Sequence, residues 1–286
     1  MAFDFLLTGG RGQLGRSLEK AIEERGLSCC TTDVPELRVD DSSSVREWIG
    51  RARPGAVLHC GAVTDVDGCE RDPGLAERVN AKGTANVARA CADASIPLVY
   101  ISTDFVFDGR GRRPYREDDE PNPLSVYGRT KLEGELAVLS EGRDDFYVVR
   151  TSWVFGPKGR NFPAAILKKA RGGEPLRVVT DQIGRPTMTD DLASAILDLL
   201  EIRPAAGIYH CSDRGVCSWH RFACDVLDLA GLSDVEVGEM LSQELGRPAA
   251  RPAYSVMDLS KIEAALGRRM PDYRDAIERY LRQEME

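Results

Sequence analysis

Phe3-Asp4-Phe5-Leu6-Leu7-Thr8-Gly9-Gly10-Arg11-Gly12-Gln13-Leu14-Gly15 is the stretch that decides the fold. Its first half is a short apolar run that reads as a buried strand, and a helical pattern (Leu14, Leu18, Ala21, Ile22) follows the glycines. Strand, glycine turn, helix is the context that turns a weak glycine pattern into a dinucleotide fingerprint. Glycines permit the tight turn and let a pyrophosphate approach the backbone where the helix begins. Gly9, Gly12 and Gly15 are spaced Gly-x-x-Gly-x-x-Gly, one residue longer at the start than the usual dehydrogenase form. A second strand, Leu27 to Thr32, ends at Asp33, 18 positions after Gly15. A carboxylate there binds adenosine ribose hydroxyls and favours NADH, whereas Arg11 inside the turn suits the 2′-phosphate of NADPH, so both cofactors stay open.

A third strand, Ala56 to His59, exits through Cys60-Gly61-Ala62-Val63-Thr64, where the small Gly61 and Ala62 let a cofactor lie close to the chain. Asp40 and Asp41 stand either at the adenine edge or as caps of the helix Ser42 to Gly50. Asn80, on a helical segment from Pro73 to Ala94, is a surface residue or a support for a later helix. A fourth strand delivers Ser102-Thr103-Asp104, and a charged, Gly- and Pro-rich surface loop runs from Phe107 to Asn122.

Tyr127 and Lys131 then fall four apart in SVYGRTKLEGELAVL, a run that reads as a helix opening at Ser125. That spacing puts phenol and ammonium on one helix face. A phenol alone titrates at about pH 10. A fixed cation beside it favours the phenolate and brings it nearer to working pH. Thr103 supplies a hydroxyl for the same substrate oxygen. Further strands are expected at Phe146 to Thr151, Leu176 to Thr180 and Gly207 to Cys211, and helices at Asn161 to Ala170 and Asp191 to Leu200, the latter capped by Thr189. Strands alternating with helices imply an α/β, doubly wound parallel sheet of the Rossmann type, and the length suits one large domain or a domain with an appended lobe. The expected division gives residues 1–152 and 177–210 to the dinucleotide domain, and 153–176 and 211–286 to the lobe.

Composition narrows the function classes. The 286 residues are 42% hydrophobic and 29% charged, with a formal net charge of −8 and no basic cluster. Nucleic acid and anionic membrane surfaces are therefore not expected partners. The chain opens directly into a strand-like segment, with no basic leader or long apolar span, so a cytoplasmic protein is expected. The eight cysteines contain no CxxC pair, and His59, His210 and His220 show no ligand spacing, so no metal is expected.

Taken together the chain resembles the extended short-chain dehydrogenases/reductases, and within them the dTDP-4-dehydrorhamnose reductase family. The stretches that carry the resemblance are STDFVFDG (Ser102 to Gly109), NPLSVYGRTKLEGE (Asn122 to Glu135), RTSWVFG (Arg150 to Gly156), LRVVTDQIGRPT (Leu176 to Thr187) and RPAYSVMDLSK (Arg251 to Lys261). The resemblance implies a smaller C-terminal α/β substrate lobe beside the Rossmann domain, and reduction of the 4-keto group of a dTDP-4-dehydro-6-deoxy sugar with NADPH or NADH, dTDP-4-dehydro-L-rhamnose giving dTDP-L-rhamnose. It implies Tyr127 as proton donor, Lys131 as the group that lowers its pKa and binds the nicotinamide ribose, and Thr103 as the residue orienting the carbonyl. It further implies Gly12, Gln13, Leu14, Asp33, Asp40, Asp41, Ala62, Val63 and Thr64 along the dinucleotide, and Asp104, Trp153 and Asn161 at the sugar nucleotide. Ser17 stands where some members carry a carboxylate of metal-bridged dimers, which leaves monomer or homodimer open. The regulatory subunit of methionine adenosyltransferase resembles the same family and keeps a similar YxxxK helix, so a non-catalytic NADP-binding role is the alternative, beside a related nucleotide-sugar reductase.

Overall fold

The computed structural model describes residues 2–285. Its centre is a six-stranded, all-parallel sheet. Five strands come in chain order: β1 (Phe5–Thr8), β2 (Cys29–Thr32), β3 (Ala56–His59), β4 (Leu98–Thr103) and β5 (Phe146–Thr151). The sixth, Gly207–His210, arrives late and pairs with β5, so the spatial order is sixth-β5-β4-β3-β1-β2. Order reverses between β1 and β3, and at such a switch point the loops leaving the strands splay apart into a crevice.

Successive strand residues face opposite sides, so each strand feeds two cores. Leu7, Leu58, Val99 and Val149 meet α1 (Gln13–Glu24) and the helix Thr189–Ile202. Leu6, Val57, Leu98 and Val148 meet α2 (Ser42–Ala52) and the helix Thr84–Ala94 on the other side. A third core, including Phe155, Ile166, Met188, Phe222, Ile277 and Tyr280, belongs to the lobe. Short strand pairs stand around it: Val154–Phe155 with Thr187–Met188, Ile183–Gly184 with Cys217–Ser218, and Leu176–Val179 with Val237–Met240.

That last pairing sets Leu176–Val179 outside the six-stranded sheet, beside Val237–Met240. Leu176 and Val178 are buried in the lobe core while Arg177 between them is exposed. A strand buried on one face only does not fit a parallel sheet covered on both sides. Thr189 is likewise not the cap of its helix but the first residue in it, and its hydroxyl accepts a hydrogen bond from Ser17 Oγ at 2.8 Å. Ser17 also reaches Asp190 at 2.6 Å, so it ties α1 to that helix within the chain. The 107–122 loop is fastened down rather than free: Tyr115 N donates to Val256 O at 2.8 Å, and Tyr115 stacks on Phe107 at 4.1 Å. All eight cysteines are unpaired. Among the described residues, no group of three or more His, Cys, Asp or Glu is placed to hold a metal, and no helix is long and apolar enough to cross a membrane.

Candidate active site

Beyond the C-terminal ends of β1, β3, β4 and β5 lies a cleft of about 490 Å³. The glycine turn forms one wall. Gly9 has φ +69°, and a Cβ there would stand 2.7 Å from Gly61 N, so the β1 and β3 exits touch through their backbones. Gly12 N-caps α1 with no side-chain cap and no acidic residue in the first turn. The leading amides and the positive end of the helix dipole therefore remain available to an anion, which is the donor set a pyrophosphate requires. Gly9, Gly12, Gln13, Leu14, Gly15, Gly61, Ala62 and Thr64 all line the cleft, with Asp33 among the lining residues. Asp33 Oδ2 accepts from Arg11 N at 2.9 Å and Oδ1 from Val34 N at 2.8 Å.

Three expected cofactor contacts do something else. Asp41 is the cap of α2, accepting from the amides of Ser43 and Ser44. Asp40 pairs with Arg38 at 3.1 Å, and neither acid lines the cleft. Val63 also lies off the lining: its amide donates to Asn80 Oδ1 at 2.8 Å, and its carbonyl accepts from Asn80 Nδ2 at 3.1 Å. Asn80 is fully buried and donates on to Thr130 Oγ1 at 3.2 Å. It thus links the β3 exit to the helix that carries Tyr127.

That helix, Val126–Ser140, begins where Ser125 Oγ accepts from Gly128 N at 3.2 Å. Tyr127 meets Phe105 edge to face, with centroids 5.6 Å apart. Thr103, at the end of β4, donates to Asp104 Oδ1 at 3.2 Å and accepts from Phe105 N at 3.2 Å. Lys131 is buried, and its Nζ donates to Ile101 O at 2.6 Å and lies 4.2 Å from the centre of the Tyr100 ring. Burial brings Lys131 down to about 7, against the pull of Glu135 one turn further along.

In the protein alone other groups than Lys131 shift the Tyr127 phenol. Burial pushes the phenol above its ordinary value, the Thr103 hydrogen bond opposes that, and Asp104 adds to it. Same-face spacing allows the pair to meet, while in the protein alone the ammonium donates to the Ile101 carbonyl. Asp104 is raised to about 7 by burial, with the hydroxyls of Ser255 and Thr103 opposing, and its Oδ2 has no partner. Asp104 is among the residues of the cleft, and a buried carboxylate oxygen without a partner is one that a donor would satisfy.

Trp153 closes the other wall. It has φ +47°, an uncommon backbone state for so bulky a residue, and stacks on Trp219 at 3.7 Å and 9°. Both indoles also line an adjoining cavity of about 400 Å³, which includes Lys169, Arg177, Arg247 and Arg251. Neither Trp219 nor this basic cavity was among the residues expected from sequence, because its charges come from separated segments with no local pattern. Asn161 lies on neither lining: it caps the helix Phe162–Arg171 through Ala164 N and donates to Gly156 O at 2.7 Å.

An uncapped glycine turn at the switch point of a parallel sheet, lining one cleft with a tyrosine and a lysine of a single helix, is the arrangement of the short-chain dehydrogenase/reductase type. More narrowly, the chain belongs to the family described as RmlD substrate binding domain, which it matches over residues 3–285. It is 40% identical over 265 residues to a dTDP-4-dehydrorhamnose reductase of Streptomyces griseus, covering 91% of this chain and 87% of that one. Spore coat polysaccharide biosynthesis protein SpsK of Bacillus subtilis (strain 168) is 38% identical over 278 residues, 97% of this chain and 96% of its own. Among solved structures, the dTDP-4-dehydrorhamnose reductase of Bacillus anthracis str. Ames in complex with NADP superposes with a TM-score of 0.94 at 34% identity, covering 99% of this chain and 100% of that one.

Proposed function

We propose that the chain reduces the 4-keto group of a dTDP-4-dehydro-6-deoxy sugar, dTDP-4-dehydro-L-rhamnose giving dTDP-L-rhamnose, with NADPH or NADH, as a step of dTDP-rhamnose biosynthesis. The observation that carries this is the meeting of Thr103, Tyr127 and Lys131 with the uncapped α1 N-terminus in one cleft, in a chain of this family. The reduced nicotinamide supplies the hydride when bound. The chain does the rest. The amides of Gln13 and Leu14 take the pyrophosphate, Asp33 the adenosine ribose, and Gly61, Ala62 and Thr64 form the floor. Lys131 serves the nicotinamide ribose. Tyr127 gives its proton to the keto oxygen as the alkoxide develops, and Thr103 holds that oxygen with a hydrogen bond.

Asp104 and Trp153 meet the sugar, and the adjoining basic cavity suits the diphosphate of the nucleotide. Asp40, Asp41, Val63 and Asn161 act as supports rather than ligand contacts in this reading. In this proposal residues 2–152 and 189–210 serve the cofactor and 153–188 and 211–285 the sugar nucleotide, a division that the pairing of Leu176–Val179 with Val237–Met240 supports. The reading makes a cytoplasmic enzyme, monomer or homodimer, whose partner is a small molecule.

The test is net consumption of NADPH and of NADH with a panel of dTDP-4-keto-6-deoxy sugars. Wild type is expected to consume reduced cofactor with at least one of them. Tyr127→Phe should lower kcat by roughly 10²–10⁴-fold, the worth of a general acid, with cofactor affinity unchanged. No net consumption with any sugar of the panel refutes the proposal.

A further inference from the structure

NADPH differs from NADH only by a phosphate on the adenosine ribose, so a protein chooses between them at the end of its second strand. Here that place holds an acid and a base together. Asp33 is fixed there, each of its oxygens accepting a backbone amide, from Arg11 and from Val34. The Arg11 side chain is folded away: Nη1 donates to Val34 O at 2.9 Å and Nη2 to Glu36 Oε1 at 2.6 Å. Glu36 sits on a closed turn, with Leu37 N donating to Asp33 O at 2.9 Å and Trp48 Nε1 donating to Glu36 O at 3.0 Å. The turn fixes the backbone that carries Glu36, and from there its carboxylate holds the Arg11 guanidinium.

We propose that Glu36 sets the choice between NADH and NADPH by sequestering the Arg11 guanidinium. The inference rests on reading the cleft as a dinucleotide site. A 2′-phosphate needs a cation, and the one in the turn is already paired. Drawing Arg11 away leaves two carboxylates, Asp33 and Glu36, near the incoming anion. NADH asks for none of this, because Asp33 accepts from ribose hydroxyls while Arg11 stays where it is. Both side chains of the pair are substantially exposed, at 64% for Arg11 and 44% for Glu36, so the contact is of the kind a ligand can break and a substitution can remove without unfolding the chain.

The experiment is titration of the purified protein with NADH and with NADPH by calorimetry, with no sugar nucleotide present, which reads binding and not turnover. Glu36→Gln keeps the shape and removes the charge. It is expected to shift the ratio of the two Kd values toward NADPH by roughly three- to tenfold, the range between an exposed ion pair and a charge-assisted hydrogen bond. Adding Arg11→Ala to Glu36→Gln should abolish that shift. An unchanged ratio in Glu36→Gln overturns the proposal. So does a shift that survives in the double variant, since the carboxylate would then act by plain repulsion and not through Arg11. If wild type binds neither dinucleotide, the reading of the cleft falls and takes this with it; binding of both with an unmoved ratio removes Glu36 alone.

Discussion

Lys131 sits where an ammonium is least at ease, with one carbonyl and the Tyr100 ring for company. Its folded value is about 7 against an ordinary 10.5. Between those two values the unfolded chain binds more protons than the folded one, so folding stability gains as pH rises through that window and is lost as pH falls toward 7. The buried thiols, Cys60 among them, shift the other way, but only as pH approaches their ordinary value of 9.0. Asp104, raised to about 7, acts below that value. Lys131→Met should therefore be more stable than wild type at about pH 7.5, by a margin that narrows at about pH 8.5. Urea unfolding at the two pH values checks this, and a constant margin would mean that Lys131 does not titrate there. The same burial makes the ammonium responsive to whatever enters the cleft beside it.

At the scale of elements, the helix Val126–Ser140 is seated by contact rather than by propensity. A Cβ on Gly128 would stand 2.2 Å from Phe105 O, so the helix runs as close to the β4 exit as backbone allows. Gly128→Ala must push the first turn outward, moving Tyr127 relative to Thr103. It is expected to destabilise by about 1–3 kcal/mol and to lower kcat with it, whereas Glu133→Ala on the partly exposed side should leave both nearly unchanged. Thermal melts and steady-state rates decide it; an alanine without effect would show the approach to be loose. The Tyr127 helix and the glycine turn were legible in the sequence because both are local patterns, a four-residue spacing and a glycine spacing after a strand. The cap at Asn161 was not, and the cap at Asp41 was only one of two readings, since a polar residue before a helix looks the same whether it caps that helix or binds a ligand. Strand Leu176–Val179 was visible as a strand, but its partner at Val237–Met240 lies about sixty residues on, beyond any local signal. Trp219 and the basic cavity were hidden for the same reason.

Across the whole molecule, two arginines of the basic cavity tie the lobe to a connection that leaves the central sheet. Asp67, on the helix after the β3 exit, receives Arg251 at 2.9 Å and Arg247 at 3.6 Å from the lobe. Arg251 is the first of the groups that hold the Asp67 carboxyl below its ordinary range. Both arginines line the cavity, so Asp67 aims them. Asp67→Ala should raise KM for the sugar nucleotide several-fold while the Kd of the reduced cofactor stays put. A change in cofactor Kd alone would place the effect of Asp67 on the cofactor side instead.

The late arrival of Gly207–His210 at the edge of the sheet has a practical side. After β5 the chain crosses into the lobe, comes back to lay down one more helix and one more strand, and leaves again. Neither unit is a continuous block, so no single cut in the gene separates them. Grafting the lobe onto another reductase would mean transplanting two pieces, one on each side of Gly207–His210, in one operation, and a ribosome has to finish well past the first lobe segment before the six-stranded sheet can close its own edge.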